Sequence, residues 1–343
     1  MNLKIKDIAE KAGVSKTTIS RAINDETRSK IAPRTLKRIE KIIAESGYTP
    51  NLAAKHLRKT LTKTIGVAFP AFPGVFDHSH YVKLLSGISD YMMETNYQLK
   101  LLLLKPDVTK WANYDFKSVE RIDGLIVTHW PEFFTKESVY KLRLPCVFIN
   151  DLVSEFPAYF VCGDHFMGGQ LAGRHLYELG HRRVAVLKGI DWCLDNHLRA
   201  DGLIQYFSQQ GVKMPMDYVI CANYREDQAY EKVDRLLQKH SDITAIFCCN
   251  DDMALGVMRR LKEKKIQCPE QISVIGFDNV LRSSISIPSL TTLQFSEYDA
   301  AWEGVMTLIR FLDQGDLSHP LRGHKLYPVE LIKRNSTGPA RVS

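Results

Sequence analysis

The 343-residue sequence has no apolar run long enough to cross a membrane. Its longest purely aliphatic stretch is Leu101 to Leu104, far below the roughly 20 residues a spanning helix needs. No apolar leader follows Met1, so no secretory signal is expected. Cysteine is sparse and odd in number: seven residues, with no C-x-x-C pair. That argues against a disulfide framework and fits reduced thiols in a cytoplasmic protein. Cys248 and Cys249 would point to opposite faces of a strand, which disfavours a redox pair. Also missing are G-x-S-x-G, G-x-x-x-x-G-K-[ST] and G-x-G-x-x-G, so no nucleophile elbow, P-loop or dinucleotide fingerprint is present. No catalytic residue and no cofactor are therefore expected. Asp77, His78 and His80 have no neighbouring ligand pair at metal spacing, and no metal is expected. Ser336 to Ser343 carry no leucine heptad.

What is present is an uneven distribution of charge. Residues 1–63 hold 15 Lys and Arg against 6 Asp and Glu, a net of +9, while the other 280 residues net −2, giving the whole-chain +7. Neutralising phosphates with counterion release supplies most non-specific DNA affinity, so a DNA-binding module needs its charge in one place.

The basic segment has a pattern to match. Ile5, Ile8, Ala9 and Ala12 fall on one helical face. Gly13 interrupts, and Ser15 stands where a helix N-cap belongs. Ile19, Ala22 and Ile23 share the next apolar face, with Lys16, Thr17, Ser20 and Arg21 opposite. Two short helices around a glycine turn, the second with a polar basic face, form a helix-turn-helix pattern. Pro33 opens a third helix with Leu36, Ile39 and Ile43 as its stripe, and Gly47 ends it. In residues 51–64, Asn51 can cap a helix running to about Arg58, too short to be stable alone. Lys55, Arg58, Lys59 and Lys63 give it charge, and Leu52 and Leu57 give it apolar side chains. It is either a plain basic linker or an element that wedges into the DNA minor groove.

From Thr64 the pattern changes. Short apolar runs at 64–69, 98–104, 123–128, 145–150, 183–188, 218–222, 244–249 and 272–277 alternate with helix-length segments. This predicts an α/β core of two doubly wound parallel sheets. Ligands in such folds sit beyond the carboxyl ends of strands. The candidates there are Asn150 and Asp151; the segment from Asp191 to Arg199, including Asp195; Tyr224; Asn250 to Asp252; and Asp278 and Asn279. His80 and Tyr81 follow the first run. Carboxylates, amides, an arginine and aromatics in one crevice suit a polyol. Taken singly, an Asp or Asn at such a junction is more often a helix cap than a ligand contact, and only their convergence points to a ligand.

The chain resembles the LacI/GalR family of bacterial transcription regulators. The resemblance rests on IKDIAEKAGVSKTTISRAIN, ESGYTPNLAAKHLRKTLTKTIGV, RIDGLIV, AGRHLYELGHRRVAVLKG, TAIFCCNDDMALGVMRRLKE, ISVIGFDN and PSLTTL, in that order along nearly the whole chain. It implies a three-helix DNA-binding headpiece (1–50), a hinge helix or linker (51–62) and an effector-binding, dimerising core like periplasmic sugar-binding proteins (63–340). Lobe 1 would span about 63–162 and 294–325, lobe 2 about 163–293 and 326–340. Lys16, Thr17 and Arg21 match base-reading positions; Ser15, Thr18 and Ser20 match phosphate or capping ones. Leu57 matches the intercalating hinge leucine, with Arg58 beside it in the groove and Lys55 adding charge. Arg199, Asp278 and Asn250 match effector-binding positions, Tyr224 an aromatic that covers the effector, and Asp195, Asn150, His80 and Tyr81 further pocket positions. Ala32 stands where the family usually has a capping serine. Cys193 replaces a polar residue of purine-responsive members.

The resulting expectation is a cytoplasmic homodimeric transcription regulator. It would repress a carbohydrate-utilisation operon from a pseudo-palindromic operator, under a sugar or sugar phosphate, without touching a membrane. A purine- or nucleoside-responsive repressor is the alternative. A transport solute-binding protein would lack the basic headpiece, and an enzyme with an appended DNA-binding domain would need catalytic motifs that are missing.

Overall fold

The computed structural model describes residues 5–23, 31–46, 61–104, 120–128, 144–150, 158–191, 193–314 and 321–341. The chain divides into two compact units, Met1–Thr62 and Lys63–Ser343.

The first unit holds three helices, α1 (Ile5–Ala12), α2 (Lys16–Ile23) and α3 (Pro33–Ser46). Gly13 makes the turn at φ +60°, a left-handed conformation that glycine adopts without steric cost. Ser15 then caps α2: its Oγ accepts the Thr18 N–H at 3.1 Å and meets the Thr18 hydroxyl at 2.9 Å. Ala9, Ala12, Ile19, Ala22 and Ile39 form the core, with Val14, Ile31, Leu36 and Ile42 packed around it. The third helix thus closes over the first two, as its stripe predicts. It starts without a side-chain cap from Ala32, whose carbonyl takes the Thr35 and Leu36 N–H groups.

The second unit contains two six-stranded sheets. One uses β1 (Thr64–Pro70), β2 (Gln98–Leu104), β3 (Gly124–Val127), β4 (Cys146–Ile149), β5 (Tyr159–Gly163) and β11 (Gly323–Tyr327), in the order β11-β5-β4-β3-β1-β2, all parallel. The other uses β6 (Val184–Lys188), β7 (Val219–Cys221), β8 (Ala245–Cys248), β9 (Ser273–Phe277), β10 (Thr291–Gln294) and β12 (Glu330–Ile332), in the order β12-β10-β9-β8-β6-β7. Only β12 is antiparallel to its neighbour. Leaving out the edge strands β11 and β12, each sheet repeats one doubly wound order, with its switch point beside its first strand.

The middle strands GLIV, CVFI, AIFC and SVIGF are buried at every residue. Strands covered on both faces need unbroken apolar runs rather than alternation. The helices are α4 (Ser79–Met93), α5 (His165–Glu178), α6 (Leu194–Gln209), α7 (Glu226–Lys239), α8 (Asp251–Glu263), α9 (Leu281–Ile285) and α10 (Glu297–Gln314). Helices α5 and α6 touch through glycines: a Cβ on Gly169 would stand 2.1 Å from the Arg199 carbonyl oxygen, and one on Gly202 would stand 2.1 Å from that of Phe166. Among the described residues no helix is long and apolar enough to cross a membrane.

Candidate functional site

The carboxyl ends of both sheets meet in one polar network. At its centre is Arg199 on α6, only 3 % exposed. Its Nη1 donates to the Cys249 carbonyl at 2.5 Å and to Asp278 Oδ1 at 3.1 Å. Its Nη2 lies 3.4 Å from Asp195 Oδ2, and its Nε donates to His165 Nδ1 at 3.3 Å. The guanidinium also sits over the Phe277 ring, 3.8 Å from the centroid. A planar fork can serve this many partners where a lysine ammonium cannot. Asp195, one turn earlier on α6, also accepts the Tyr224 hydroxyl at 3.2 Å. Tyr224, at φ +59°, lays its ring against Gly189, where any Cβ would collide with it. Asn250 closes this side. Its Nδ2 donates to the Tyr224 carbonyl at 3.2 Å, while its Oδ1 caps α8 by accepting the Met253 N–H at 2.9 Å. The capping and positioning roles coexist in one side chain.

From the other sheet come His80 and Lys83 on α4, and Asn150 just past β4. Asn150 Nδ2 donates to the Thr128 carbonyl at 3.3 Å and lies 2.7 Å from His80 Nε2. A carbonyl can only accept, so the amide nitrogen faces it and His80 Nε2 must be the acceptor. The His80 proton is then on Nδ1, which donates to Glu297 Oε1 at the start of α10. Lys83 Nζ lies 3.0 Å from Glu297 Oε2 and donates to the Asp278 carbonyl at 2.7 Å. This last bond ties the two lobes together. Burial works against ionising Glu297, but the His80 hydrogen bond and the Lys83 ammonium hold its carboxyl below the usual carboxylate range. Burial raises the Asp278 carboxyl, and Glu297 and Asp251 add to the rise against the pull of Arg199. A second contact between lobes sets His78 Nδ1 3.8 Å from Asp252.

Seven of the eight core residues that the family resemblance matches to effector-pocket positions (His80, Asn150, Asp195, Arg199, Tyr224, Asn250 and Asp278) lie in this one chain of contacts. Tyr81, 7 % exposed, instead packs edge-on against Phe69 and His80. Among the DNA-contact candidates, Ser15 and Thr17 are exposed and Thr18 is half-buried. Lys16, Ser20 and Arg21 lie on α2; Lys55, Leu57 and Arg58 fall outside the described residues. Cys193 is buried and precedes α6 without capping it. Three network members escaped the sequence reading: Lys83, His165 and Glu297. His165 and Glu297 follow β5 and β10, two strands the apolar-run pattern does not reveal. Lys83 stands one turn after His80 and could have been found from that spacing.

Burial, with Arg199 alongside, lowers the His165 imidazole from 6.5 to about 3, against a smaller pull from Asp195. A histidine depressed in this way stabilises the fold fully above pH 6.5, and the contribution is lost as pH falls toward 3. The slope is about 1.4 kcal/mol per pH unit in that window. Asp251, raised by burial to about 6, works in the opposite sense. Urea unfolding at pH 7 and pH 5 should therefore show a smaller acid loss for His165→Gln than for the wild type. Parallel losses would remove His165 as a source of acid lability.

A helix-turn-helix unit carried on the same chain as a two-lobed core, with a buried polar network where the strand ends of both lobes meet, is the architecture of a ligand-responsive DNA-binding regulator. Family comparison agrees over both units. The profile described as bacterial regulatory proteins, lacI family, matches residues 4–51; that of a periplasmic binding protein-like domain matches residues 174–337. The chain belongs to the lacI family of bacterial regulatory proteins, and it is a transcription regulator rather than an enzyme. It is 30 % identical over 293 residues to the probable HTH-type transcriptional repressor ExuR of Bacillus subtilis (strain 168), covering 84 % of this chain and 86 % of that one. It is 31 % identical to the HTH-type transcriptional repressor PurR of Pasteurella multocida (strain Pm70), covering 85 % and 87 %. A LacI family regulator from Enterococcus faecium, solved with bound ribose, superposes with a TM-score of 0.69 at 26 % identity, covering 81 % of this chain and all of that one.

Proposed function

We propose that the protein is a cytoplasmic homodimeric repressor of a carbohydrate-utilisation operon, switched by a sugar or sugar phosphate held between the core lobes. The reading divides the chain into a headpiece at 1–50, a hinge at 51–62 and a core at 63–340, with lobes of about 63–162 plus 294–325 and about 163–293 plus 326–340. The break between Thr62 and Lys63 supports the start of the core. The observation that carries the effector assignment is the continuous network from His80 through Glu297, Lys83, Asp278 and Arg199 to Asp195 and Tyr224, built from both lobes. The ribose bound by the Enterococcus faecium relative supports a sugar.

Self-association is supported by α9 and the residues after it, where Leu281, Ile285 and Ile287 are 78 %, 70 % and 88 % exposed. A clustered apolar surface of this kind marks an interface, and a two-fold dimer reads a two-fold operator. A ligand in the cleft changes lobe closure, hence the spacing of the paired hinge segments, hence operator affinity. It can do so only by its differential affinity for the two closure states.

Lys16, Thr17 and Arg21 read bases in this scheme; Ser15, Thr18 and Ser20 cap or touch phosphates; Lys55, Leu57 and Arg58 act in the hinge. Selection from random duplex DNA supplies the operator for the test. Arg21→Ala should bind it about 10- to 100-fold more weakly, the loss expected for one base-reading arginine. Ligand-induced thermal shifts should be unchanged, and a single half-site should bind the wild type far more weakly than the two-fold site. Equal operator binding by the variant would overturn the recognition-helix assignment.

A further inference from the structure

Five buried side-chain polar atoms lack a hydrogen-bond partner among the described residues, and three of them belong to the cleft network: Asn150 Oδ1, His165 Nε2 and Glu297 Oε2. Folded proteins rarely leave such atoms unsatisfied, so three of them in one network mark a place where something else bonds. What that is follows from the donor and acceptor pattern. Asn150 Oδ1 can only accept, because its Nδ2 faces the Thr128 carbonyl. Glu297 Oε2 can only accept; the Lys83 ammonium pairs with it at 3.0 Å, and a carboxylate oxygen has a second lone pair with which to accept. His165 takes the Arg199 Nε–H on Nδ1, so the proton of its neutral ring is on Nε2, which can only donate. A ligand must therefore offer two donors and one acceptor. Hydroxyl groups do both.

A carboxylate or phosphate could answer His165 alone and would stand beside Glu297. The two cations of the network are already matched, Arg199 by Asp195 and Asp278 and Lys83 by Glu297. Among the described residues of the network no positive charge is left over to receive an anion. Resting on the effector cleft proposed above, we propose that Glu297 is the specificity-determining residue of that cleft, accepting hydroxyl protons from a neutral saccharide and excluding carboxylated and phosphorylated ones. His80 and Lys83 are its positioning residues.

The test is calorimetric titration of the full-length protein with matched sets: D-ribose and D-ribose 5-phosphate; D-glucose, D-glucose 6-phosphate and D-glucuronate; D-galactose and D-galacturonate. The wild type should bind at least one neutral member ten times or more tighter than each of its anionic counterparts, the scale of a bond to a charged acceptor. Glu297→Gln, which keeps the shape and removes the charge, should weaken that neutral sugar about tenfold and cut the ratio by at least the same factor. An anionic member bound as tightly as its neutral partner, an unchanged ratio in the variant, or no neutral member bound would each overturn the inference. The wild-type ratio tests it even if the variant does not fold. Failure of the wider reading looks different: then no compound, saccharide or nucleobase, alters operator binding. A nucleobase that does alter it overturns the neutral-saccharide inference and leaves a ligand-gated regulator.

Discussion

Arg199→Ala will abolish the ligand response and cost the core about 3–5 kcal/mol, the scale seen when one partner of a buried ion pair is removed. The loss is large because Arg199 has two carboxylate partners. Asp195 is 5 % exposed and the Asp278 side chain 11 %, and truncation leaves both without their shared cation. It also strands the Cys249 carbonyl and the acceptor nitrogen of His165. Arg199→Lys tests the geometry separately from the charge. A point ammonium cannot reach all four partners, so the lysine variant should recover part of the stability and little of the ligand response. Thermal melting and ligand titration read the two effects, with binding to the selected operator as the control for the headpiece. An unchanged titration in Arg199→Ala would take this residue out of the effector site.

Gly169→Ala and Gly202→Ala should each destabilise the core at or beyond the upper end of the about 1–3 kcal/mol typical of overpacking. The obstacle in both cases is a backbone carbonyl, 2.1 Å from the new Cβ, and no rotamer change relieves it. Helices α5 and α6 would have to separate. Since α5 begins with His165 and α6 carries Asp195 and Arg199, the same displacement should weaken ligand binding from outside the cleft. Wild-type melting temperatures for both variants would show that the two helices can part without cost.

The eight apolar runs from 64 to 277 and the three headpiece helices were legible because both are patterns of burial. A strand covered on both faces must be apolar throughout, and a small helical core needs its stripe. Strands β5, β10, β11 and β12 were not legible. Thr291–Gln294 is short and polar, three residues suffice for β12, and β11 is mostly exposed. A search for ligand groups beyond strand ends stops where strand detection stops, so it reached Asp278 after β9 and missed Glu297 after β10. Asn250 marks another limit. Sequence allows either a cap or a ligand contact, and the structure shows one oxygen capping α8 while the amide nitrogen holds Tyr224 in place. The identity of the cleft groups was readable; their state of satisfaction, which carries the ligand chemistry, needed coordinates.

Only Pro328 and Val329 separate strands β11 and β12 in sequence, yet the two strands border different sheets. Each sheet therefore keeps an open edge, along β5 and along β10, until nearly the same moment of synthesis. A ribosome must deliver residues past 320 before either lobe is finished, and both are then finished almost together. Nascent chains arrested before that point would present β5 and β10 as bare edges, templates for pairing with other chains that the finished chain covers with β11 and β12.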